Sequence, residues 1–188
     1  MIHRELLVGG FFLGGVCDYG LGKQLVRSPY DGHTVGTAAE GAWPEADAAL
    51  HAAVEAFPAW ANTPAEERRA LLLRIAAFIR ERAGEFCELL VHEIGKPVRF
   101  ARAEVERTAV TFELAAGLLD RPSRKEVTTA PDARSSEYDV SFGRFPVGPV
   151  LAVSPYNWPF NLAAHKVAPA LAAGNTVVFK GSPLASPC

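Results

Sequence analysis

Two apolar segments on either side of one helix-length segment restrict the fold of this chain more than any other feature. Residues 147–154 form an apolar run and residues 176–180 form a second one, and both runs predict buried strands. Between them, Pro159 stands where a helix would begin, and Gly174 follows Ala173 where a helix would end. The order strand, helix, strand predicts one right-handed βαβ unit with parallel strands, and therefore an α/β fold.

Upstream of this unit, residues 43–119 have the apolar spacing of helices. We predict that the first helix ends at Pro58 and that residues 63–66 form a capping box with proline at the first helical position. A third helix is predicted over residues 85–94, and a fourth begins at Pro97. The fourth helix is predicted to bury one stripe of side chains, formed by Ala101, Val105, Thr108, Phe112, Ala115 and Leu119.

The first forty residues predict short strands joined by turns. Gly9-Gly10 lies between two apolar triplets at 6–8 and 11–13, which predicts a two-residue hairpin. Two further strands, Gln24–Arg27 and Thr34–Ala38, are predicted to be antiparallel across a turn that contains proline and glycine.

The segment 121–142 is polar and rich in Ser and Thr. Within it, Glu126–Thr129 and Glu137–Phe142 predict two short strands. An isolated two-stranded unit is marginally stable in water. We therefore expect this segment to pack against another chain or against another part of the protein.

Composition excludes several classes of protein. Apolar residues make up 49% of the chain and charged residues 21%, which are globular values rather than those of a disordered chain. The net charge is -2, so no nucleic-acid partner is expected. No apolar stretch reaches the roughly 18 residues of a membrane span, and the N-terminus lacks the sustained apolar core of a secretory signal. No membrane partner is expected either.

The cysteines indicate a reducing compartment. Cys17, Cys87 and Cys188 are widely spaced and odd in number, which is not a disulfide framework. This pattern predicts a cytoplasmic location. Without a CxxC pair or closely spaced His and Cys residues, no metal site is expected.

The βαβ unit also suggests where a ligand binds, because ligands of parallel sheets lie beyond the carboxyl ends of the strands. Those ends nominate Asn157 and Lys180. On local grounds Asn157 is equally suited to cap the helix that follows it, and the pattern favours a solvated strand end for Lys180 over a ligand contact. The dinucleotide fingerprint, the P-loop, the G-x-S-x-G elbow and the H-E-x-x-H motif are all absent. Spacing alone therefore predicts a ligand site at a βαβ crevice and no more.

Residues 145–180, FPVGPVLAVSPYNWPFNLAAHKVAPALAAGNTVVFK, resemble the aldehyde dehydrogenase superfamily. Members carry a strand followed by P-[WFY]-N-x-P, then a helix with K-x-x-P-A-L-A-x-G-N, then a strand that ends in lysine. All three elements are present here in that order. The upstream chain agrees at Phe57–Trp60, Arg69–Ile75 and Glu93–Pro97, so the resemblance covers nearly the whole chain.

For the fold, the resemblance implies the N-terminal part of an aldehyde-dehydrogenase-like architecture. Residues 1–122 are expected to form the N-terminal strands and the helical layer of the cofactor-binding domain. Residues 123–145 are expected to form a protruding oligomerisation hairpin, which builds a homodimer or homotetramer. Residues 146–188 are expected to form the first βαβ unit of a Rossmann-like cofactor domain that is incomplete here.

For function, the resemblance implies NAD(P)-dependent oxidation of a small aldehyde to a carboxylic acid, through a cysteine thiohemiacetal and a thioester. It assigns Asn157 to the oxyanion hole and Lys166 to a buried position behind it. It assigns five residues to cofactor binding, namely Ser154, Pro155, Tyr156, Lys180 and Ser182. It places Trp158 and His165, together with Tyr156, in the substrate tunnel.

Two departures from the family pattern matter. Position 183 is proline where many members have a glutamate that binds ribose hydroxyls, so the choice between NAD and NADP stays open. The family's nucleophilic cysteine and general-base glutamate lie far downstream, and Cys188 lacks the nucleophile's sequence context. We therefore expect an N-terminal piece that is inactive by itself. Two alternatives remain: a non-catalytic truncated relative that acts as a binding or assembly module, and part of a CoA-acylating aldehyde dehydrogenase.

Overall fold

Strands lie at both ends of the described chain, and four consecutive helices lie between them. The computed structural model describes residues 7–9, 11–13, 16–18, 22–121, 124–127 and 140–185, with side chains described within 24–121 and 140–185. The strands are β1 (Leu7–Gly9), β2 (Phe11–Leu13), β3 (Val16–Asp18), β4 (Gly22–Arg27), β5 (Thr34–Glu40), β6 (Arg124–Val127), β7 (Val140–Gly143), β8 (Val150–Val153) and β9 (Val177–Lys180). The helices are α1 (Trp43–Ala61), α2 (Ala65–Glu81), α3 (Ala83–Ile94), α4 (Val98–Gly117) and α5 (Pro159–Ala172), with a 3-10 turn at Leu118–Asp120.

The strands near the N-terminus pair only partly as predicted. β4 and β5 are antiparallel, across a turn in which the Ser28 N–H donates to the His33 carbonyl at 2.9 Å. In contrast, β1 pairs in parallel with β5, and β2 pairs with β3. The predicted hairpin between residues 6–8 and 11–13 is therefore wrong, although Leu6 and Gly10 themselves lie outside the described residues. By joining β5, β1 becomes part of a three-stranded sheet, which is more stable than an isolated hairpin.

The prediction that the first helix ends at Pro58 is also wrong, because α1 continues to Ala61. Proline removes one intrahelical hydrogen bond, but its fixed φ is compatible with a helix. Two side chains then satisfy carbonyls of the last turn. Asn62 Nδ2 donates to the Pro58 carbonyl at 2.7 Å, and Thr63 Oγ1 donates to the Ala59 carbonyl at 3.0 Å.

The Thr63 hydrogen bond explains why the predicted capping box does not form. The Thr63 hydroxyl belongs to the end of α1 and does not accept from α2. α2 begins at Ala65 with Pro64 as its N-cap residue, and it has no side-chain cap hydrogen bond. α3 ends where the sequence predicted, with Gly95 in the left-handed conformation at φ 66°.

The core lies where α4 crosses α2, α3 and α5. The predicted stripe on α4 is confirmed, since Ala101, Val105, Thr108, Phe112 and Ala115 are buried and Leu119 packs against the cluster. α5 contributes small side chains to the same cluster: Ala164, Ala168 and Ala172. The βαβ unit is thereby fixed on the helical layer through α5.

The predicted βαβ unit is confirmed. β8 and β9 are parallel, with Val150 opposite Val177 and Val153 opposite Lys180. Because the two strands are parallel, their carboxyl ends lie at one edge of the sheet. Gly174, just after α5, has φ 84°, and a Cβ at this position would lie 2.9 Å from the Pro146 ring.

Asn175 ties the end of this crossover to the start of β8. Its buried Oδ1 accepts from the Val147 N–H at 2.7 Å and from the Gly148 N–H at 3.1 Å. Replacing Asn175 by Ala leaves the buried Gly148 donor unsatisfied, which costs about 1–3 kcal/mol, whereas the part-buried Val147 donor can turn to water. We expect Asn175→Ala to lower the free energy of unfolding by about 1–3 kcal/mol, measured by urea denaturation.

Asn62→Ala is the matched control for this prediction. Asn62 is an exposed asparagine that makes one hydrogen bond to Pro58, so its loss should change stability by less than about 0.5 kcal/mol. Equal losses in the two variants would contradict the role of Asn175.

Part of the polar segment forms the two predicted strands. β6 and β7 are antiparallel, with Arg124 opposite Gly143 and Val127 opposite Val140. Residues 128–139, which hold the remainder of both predicted strands, lie outside the described residues. Val140 and Phe142 on β7 are exposed, so β7 does not bury its apolar side chains among the described residues.

Candidate functional site

The carboxyl ends of β8 and β9 are joined by a backbone hydrogen bond. The Ser154 N–H donates to the Lys180 carbonyl at 3.2 Å, and Ser154 itself is buried. The turn Pro155–Trp158 leaves β8 at this edge and leads directly into α5. The residues that follow the two strands therefore meet at one place, as the sequence predicted.

A buried lysine holds the turn that contains Asn157. Lys96 follows Gly95 at the end of α3, and only 8% of its side chain is exposed. Its Nζ donates to the Asn157 carbonyl at 2.8 Å and lies 4.3 Å from the centroid of the Trp158 ring. One ammonium group thus contacts two consecutive residues of the turn, by a hydrogen bond and by a cation–π contact.

Glu104 of α4 completes this arrangement. Its side chain is fully buried and pairs with Lys96 through Oε2. Its other oxygen, Oε1, accepts from the Phe160 N–H at 3.0 Å and from the Asn161 N–H at 3.2 Å. These are two of the N–H groups that a helix leaves unpaired at its N-terminus. A carboxylate from a neighbouring helix therefore caps α5.

This arrangement decides one alternative that the sequence left open. The N-cap residue of α5 is Trp158, and no side chain of its own segment caps the helix. Asn157 therefore does not act as the helix cap. Its side chain is exposed, and its carboxamide has no hydrogen-bond partner among the described residues. The carboxamide is available to a ligand.

A cleft of about 440 Å³ lies in front of the turn. Its walls are the end of α3, the start of α4 and the turn itself, through Ile94, Gly95, Lys96, Pro97, Phe100, Tyr156, Asn157 and Trp158. The lining is mainly apolar, and its polar side chains include the Asn157 amide, the Lys96 ammonium and the Tyr156 hydroxyl. Such a cleft suits a small, largely apolar molecule with one polar end.

The other predicted cofactor residues surround the strand ends. Lys180 is exposed, and its Nζ donates to the Gly181 carbonyl at 3.2 Å. Ser182 is buried, and its Oγ accepts from the Leu184 N–H at 3.2 Å. Pro155 and Tyr156 are exposed. These positions suit contact with a ligand laid across the edge, and their roles remain predictions.

Two predicted residues lie on α5 apart from the turn. His165 is exposed, and Lys166 is half-buried rather than fully buried. The role of Lys166 behind Asn157 stays a prediction. No hydrogen bond or ion pair joins Lys166 to Asn157 among the described residues.

Cys87 does not belong to this site. It lies on α3 and lines a different cleft, between α3 and α4, with His92 and Arg102. Burial raises the pKa of the Cys87 thiol, which disfavours the nucleophilic thiolate. Among the described residues, no group of three His, Cys, Asp or Glu side chains can hold a metal ion. None of the described helices is long and apolar enough to span a bilayer.

Sequence reasoning gave no role to Lys96 or Glu104, although a signal was present. Glu104 falls between Ala101 and Thr108 on the otherwise apolar stripe of α4. A carboxylate at such a position must be paired, because an isolated buried charge is very unfavourable. Its partner, Lys96, lies eight residues away in the chain, and this spacing across a helix boundary has no periodic signature.

The parallel strand edge, the mainly apolar cleft and the exposed carboxamide together form the candidate ligand site of this α/β chain. The family model described as the aldehyde dehydrogenase family matches residues 20–188. This chain belongs to that family. One relative, N-succinylglutamate 5-semialdehyde dehydrogenase 1 of Caulobacter vibrioides, is 35% identical over 166 residues, which cover 88% of this chain and 34% of the relative.

Solved structures agree with this assignment. Aldehyde dehydrogenase 21 from Physcomitrella patens, in complex with the reaction product succinate, matches with a TM-score of 0.90 and 34% identity, over 96% of this chain and 38% of that one. PnpE in complex with nicotinamide adenine dinucleotide matches with a TM-score of 0.84 and 33% identity, over 91% of this chain and 35% of that one. This chain thus spans about a third of the length of these relatives. The predicted family and fold class are confirmed.

Proposed function

We propose that this chain is the N-terminal part of an NAD(P)-dependent aldehyde dehydrogenase, which oxidises a small aldehyde to a carboxylic acid. The observation that carries the proposal is the Asn157 carboxamide, which has no hydrogen-bond partner in the described part of the chain and belongs to a residue that lines a largely apolar cleft. Family membership and two solved relatives, one in complex with succinate and one with nicotinamide adenine dinucleotide, support the same reaction. The catalytic cysteine and the general base would come from chain beyond residue 188.

Asn157 would act on the aldehyde oxygen. Attack of a thiolate on an aldehyde places a negative charge on that oxygen, and a donor fixed in advance stabilises the charge. A carboxamide donates N–H groups without taking part in proton transfer. The Lys96 contact fixes the peptide that carries Asn157, so little reorganisation is needed when the charge forms. The apolar lining would exclude water and strengthen this interaction.

The strand edge fits one part of a dinucleotide. The Lys180 ammonium is exposed and makes one hydrogen bond, to Gly181, among the described residues, so further donors are free for a ribose hydroxyl. Ser154 and Ser182 are buried at the same edge. Pro183 brings no carboxylate against a 2′-phosphate, so this edge accommodates NAD or NADP. When bound, the nicotinamide supplies the hydride acceptor.

The assembly and the location of the enzyme are part of the proposal. Val140 and Phe142 on β7 and the adjoining Phe145 are exposed, which supports a homo-oligomer formed through this segment. Three widely spaced cysteines support a cytoplasmic protein.

The first test compares the 188-residue chain with the longest protein encoded by the same gene. We expect the chain by itself to give no aldehyde-dependent NAD(P)H formation above background, because its one described cysteine side chain, Cys87, lies away from the site. The longer protein should form NAD(P)H, followed by absorbance at the nicotinamide band. Turnover by the 188-residue chain that is lost in Cys188→Ser would contradict the proposal.

Lys180→Ala tests the cofactor edge in the full-length enzyme. A hydrogen bond from a charged donor contributes about 1.5–3 kcal/mol, which corresponds to a roughly 10- to 100-fold rise in the cofactor KM. The aldehyde KM should change little. Arg82→Ala, which removes an exposed cation paired with Glu85, is the control and should leave both KM values unchanged. An unchanged KM for both NAD and NADP in Lys180→Ala would make Lys180 a solvated strand end.

A further inference from the structure

We infer that Lys96 and Glu104 form a buried positioning pair that fixes the Asn157 carboxamide for catalysis; this inference rests on the proposed function of Asn157. The two residues would not touch the substrate oxygen. They would act through the backbone of the turn and through the first turn of α5.

The contacts of the pair converge on one short segment. Lys96 holds the Asn157 carbonyl at 2.8 Å and the Trp158 ring at 4.3 Å. Glu104 holds the N–H groups of Phe160 and Asn161. The direct pairing of Lys96 with Glu104 links the two sets of contacts. The segment from Asn157 to Asn161 is thus fixed at both ends by a single ion pair from α3 and α4.

Burial makes the pair a rigid support. The Glu104 side chain is fully buried and the Lys96 side chain is 8% exposed. Exposed ion pairs between α2 and α4, such as Arg80 with Glu106 and Glu113, are solvated and contribute little. A buried pair whose hydrogen bonds are satisfied has few alternative arrangements. The pair therefore keeps the backbone of the turn in one position.

The charges of the pair also suit an oxyanion. Glu104 places a carboxylate at the N-terminus of α5, where the helix dipole would otherwise favour an anion. Alone, that carboxylate would oppose the negative charge that forms beside Asn157. Lys96 offsets it and supplies the cation nearest the turn. Removing only Lys96 would therefore both loosen the turn and leave an opposing charge.

The test uses three variants of the full-length enzyme: Lys96→Met, Glu104→Gln and the double variant. Methionine keeps the length of the lysine side chain without its charge, and glutamine keeps an acceptor for Phe160 and Asn161. Arg80→Met is the matched control, because it also replaces a cation of an ion pair by methionine. It breaks the exposed ion pairs that join α2 to α4, and none of these residues belongs to the turn. The readouts are Tm, kcat, both KM values and amide hydrogen exchange of the peptide 155–161.

We expect Lys96→Met to raise exchange of the peptide 155–161 by about tenfold and to lower kcat by roughly 10- to 100-fold, the range for misplacement of a catalytic group by about 1 Å. The cofactor KM should stay within about twofold, since Lys96 contacts Asn157 and Trp158 rather than the residues assigned to cofactor binding. Glu104→Gln should lower Tm, because it leaves a buried ammonium unpaired. Arg80→Met should change none of these values.

The double variant separates positioning from simple stability. It removes both charges, so its Tm should recover towards that of the wild type. Its kcat and its exchange should stay at the levels of Lys96→Met, because the Asn157 carbonyl still lacks its donor. A double variant that regains kcat together with Tm would show that the pair acts only on stability, and the inference would be wrong.

The exchange measurement keeps this inference distinct from the proposed function. Full kcat in Asn157→Ala would overturn the oxyanion role, and with it the catalytic purpose of the pair. Unchanged exchange of the peptide 155–161 in Lys96→Met would overturn the anchoring itself, whatever the activity of Asn157→Ala.

Discussion

In the full-length enzyme, Asn157→Ala is expected to lower kcat by ~10²–10³, the range observed when one oxyanion donor is removed. The reason lies in the geometry of the turn. The carboxamide of Asn157 has no partner among the described residues, and its backbone is held by Lys96. The donor is thus placed before the charge forms. The KM for the cofactor should change little, because the lost interaction is made only in the transition state.

Asn157→Asp provides the discriminating variant. A carboxylate beside the oxyanion should lower kcat at least as much as alanine does. Because Glu104, and not Asn157, caps α5, Tm should stay close to that of the wild type in both variants. Asn62→Ala, at an exposed asparagine away from the site, should retain full kcat. A fully active Asn157→Asp enzyme would exclude the oxyanion role.

The parts of the fold that the sequence predicted correctly depend on local patterns. The α4 stripe follows from the 3.6-residue period, and its predicted members are buried or packed against the core. The βαβ unit follows from two apolar runs with a helix between them. Gly95 ends α3 in the left-handed conformation, which glycine adopts without strain because it has no Cβ. In each case a few neighbouring residues determine the structure.

The wrong predictions concern pairing between segments. In one case the actual partner strand lies far along the chain, and in the other two helices compete for the same side chain. β1 pairs with β5 rather than with β2, its neighbour in the chain. The pattern of residues in β1 does not show which of these two strands is its partner. Thr63 has a capping residue's side chain but donates to Ala59, because the preceding helix extends through Pro58. A local pattern cannot decide between two helices that compete for one hydroxyl group.

The candidate site shows the same limit. Asn157 and Lys180 were predicted from their places after two strands, and the structure brings those strand ends together. Lys96 and Glu104 were not assigned, since their importance arises only when α3, α4 and α5 pack against each other. The local pattern left open whether Asn157 caps the helix, and the structure assigns that role to a carboxylate from another helix.

Glu104→Ala should have the largest effect on stability. It removes the acceptor of two N–H groups at the start of α5 and leaves the Lys96 ammonium buried without its counter-charge. Breaking a buried ion pair by deleting one partner costs about 3–5 kcal/mol. We expect a loss of about that size in the free energy of unfolding, measured by urea denaturation.

Glu113→Ala is the matched control, since it makes the same substitution on the same helix. Glu113 is also ion-paired, to Arg80, but its side chain is 40% exposed. Solvent weakens such pairs, so the loss should not exceed about 1 kcal/mol. The hydrogen bond from the Arg80 guanidinium holds the pKa of Glu113 below its ordinary value. The two variants differ chiefly in the burial of the side chain that is removed. Equal losses of unfolding free energy would mean that the Lys96–Glu104 pair contributes no more than a surface ion pair. A large loss in Glu104→Ala alone would identify the pair as the support of α5.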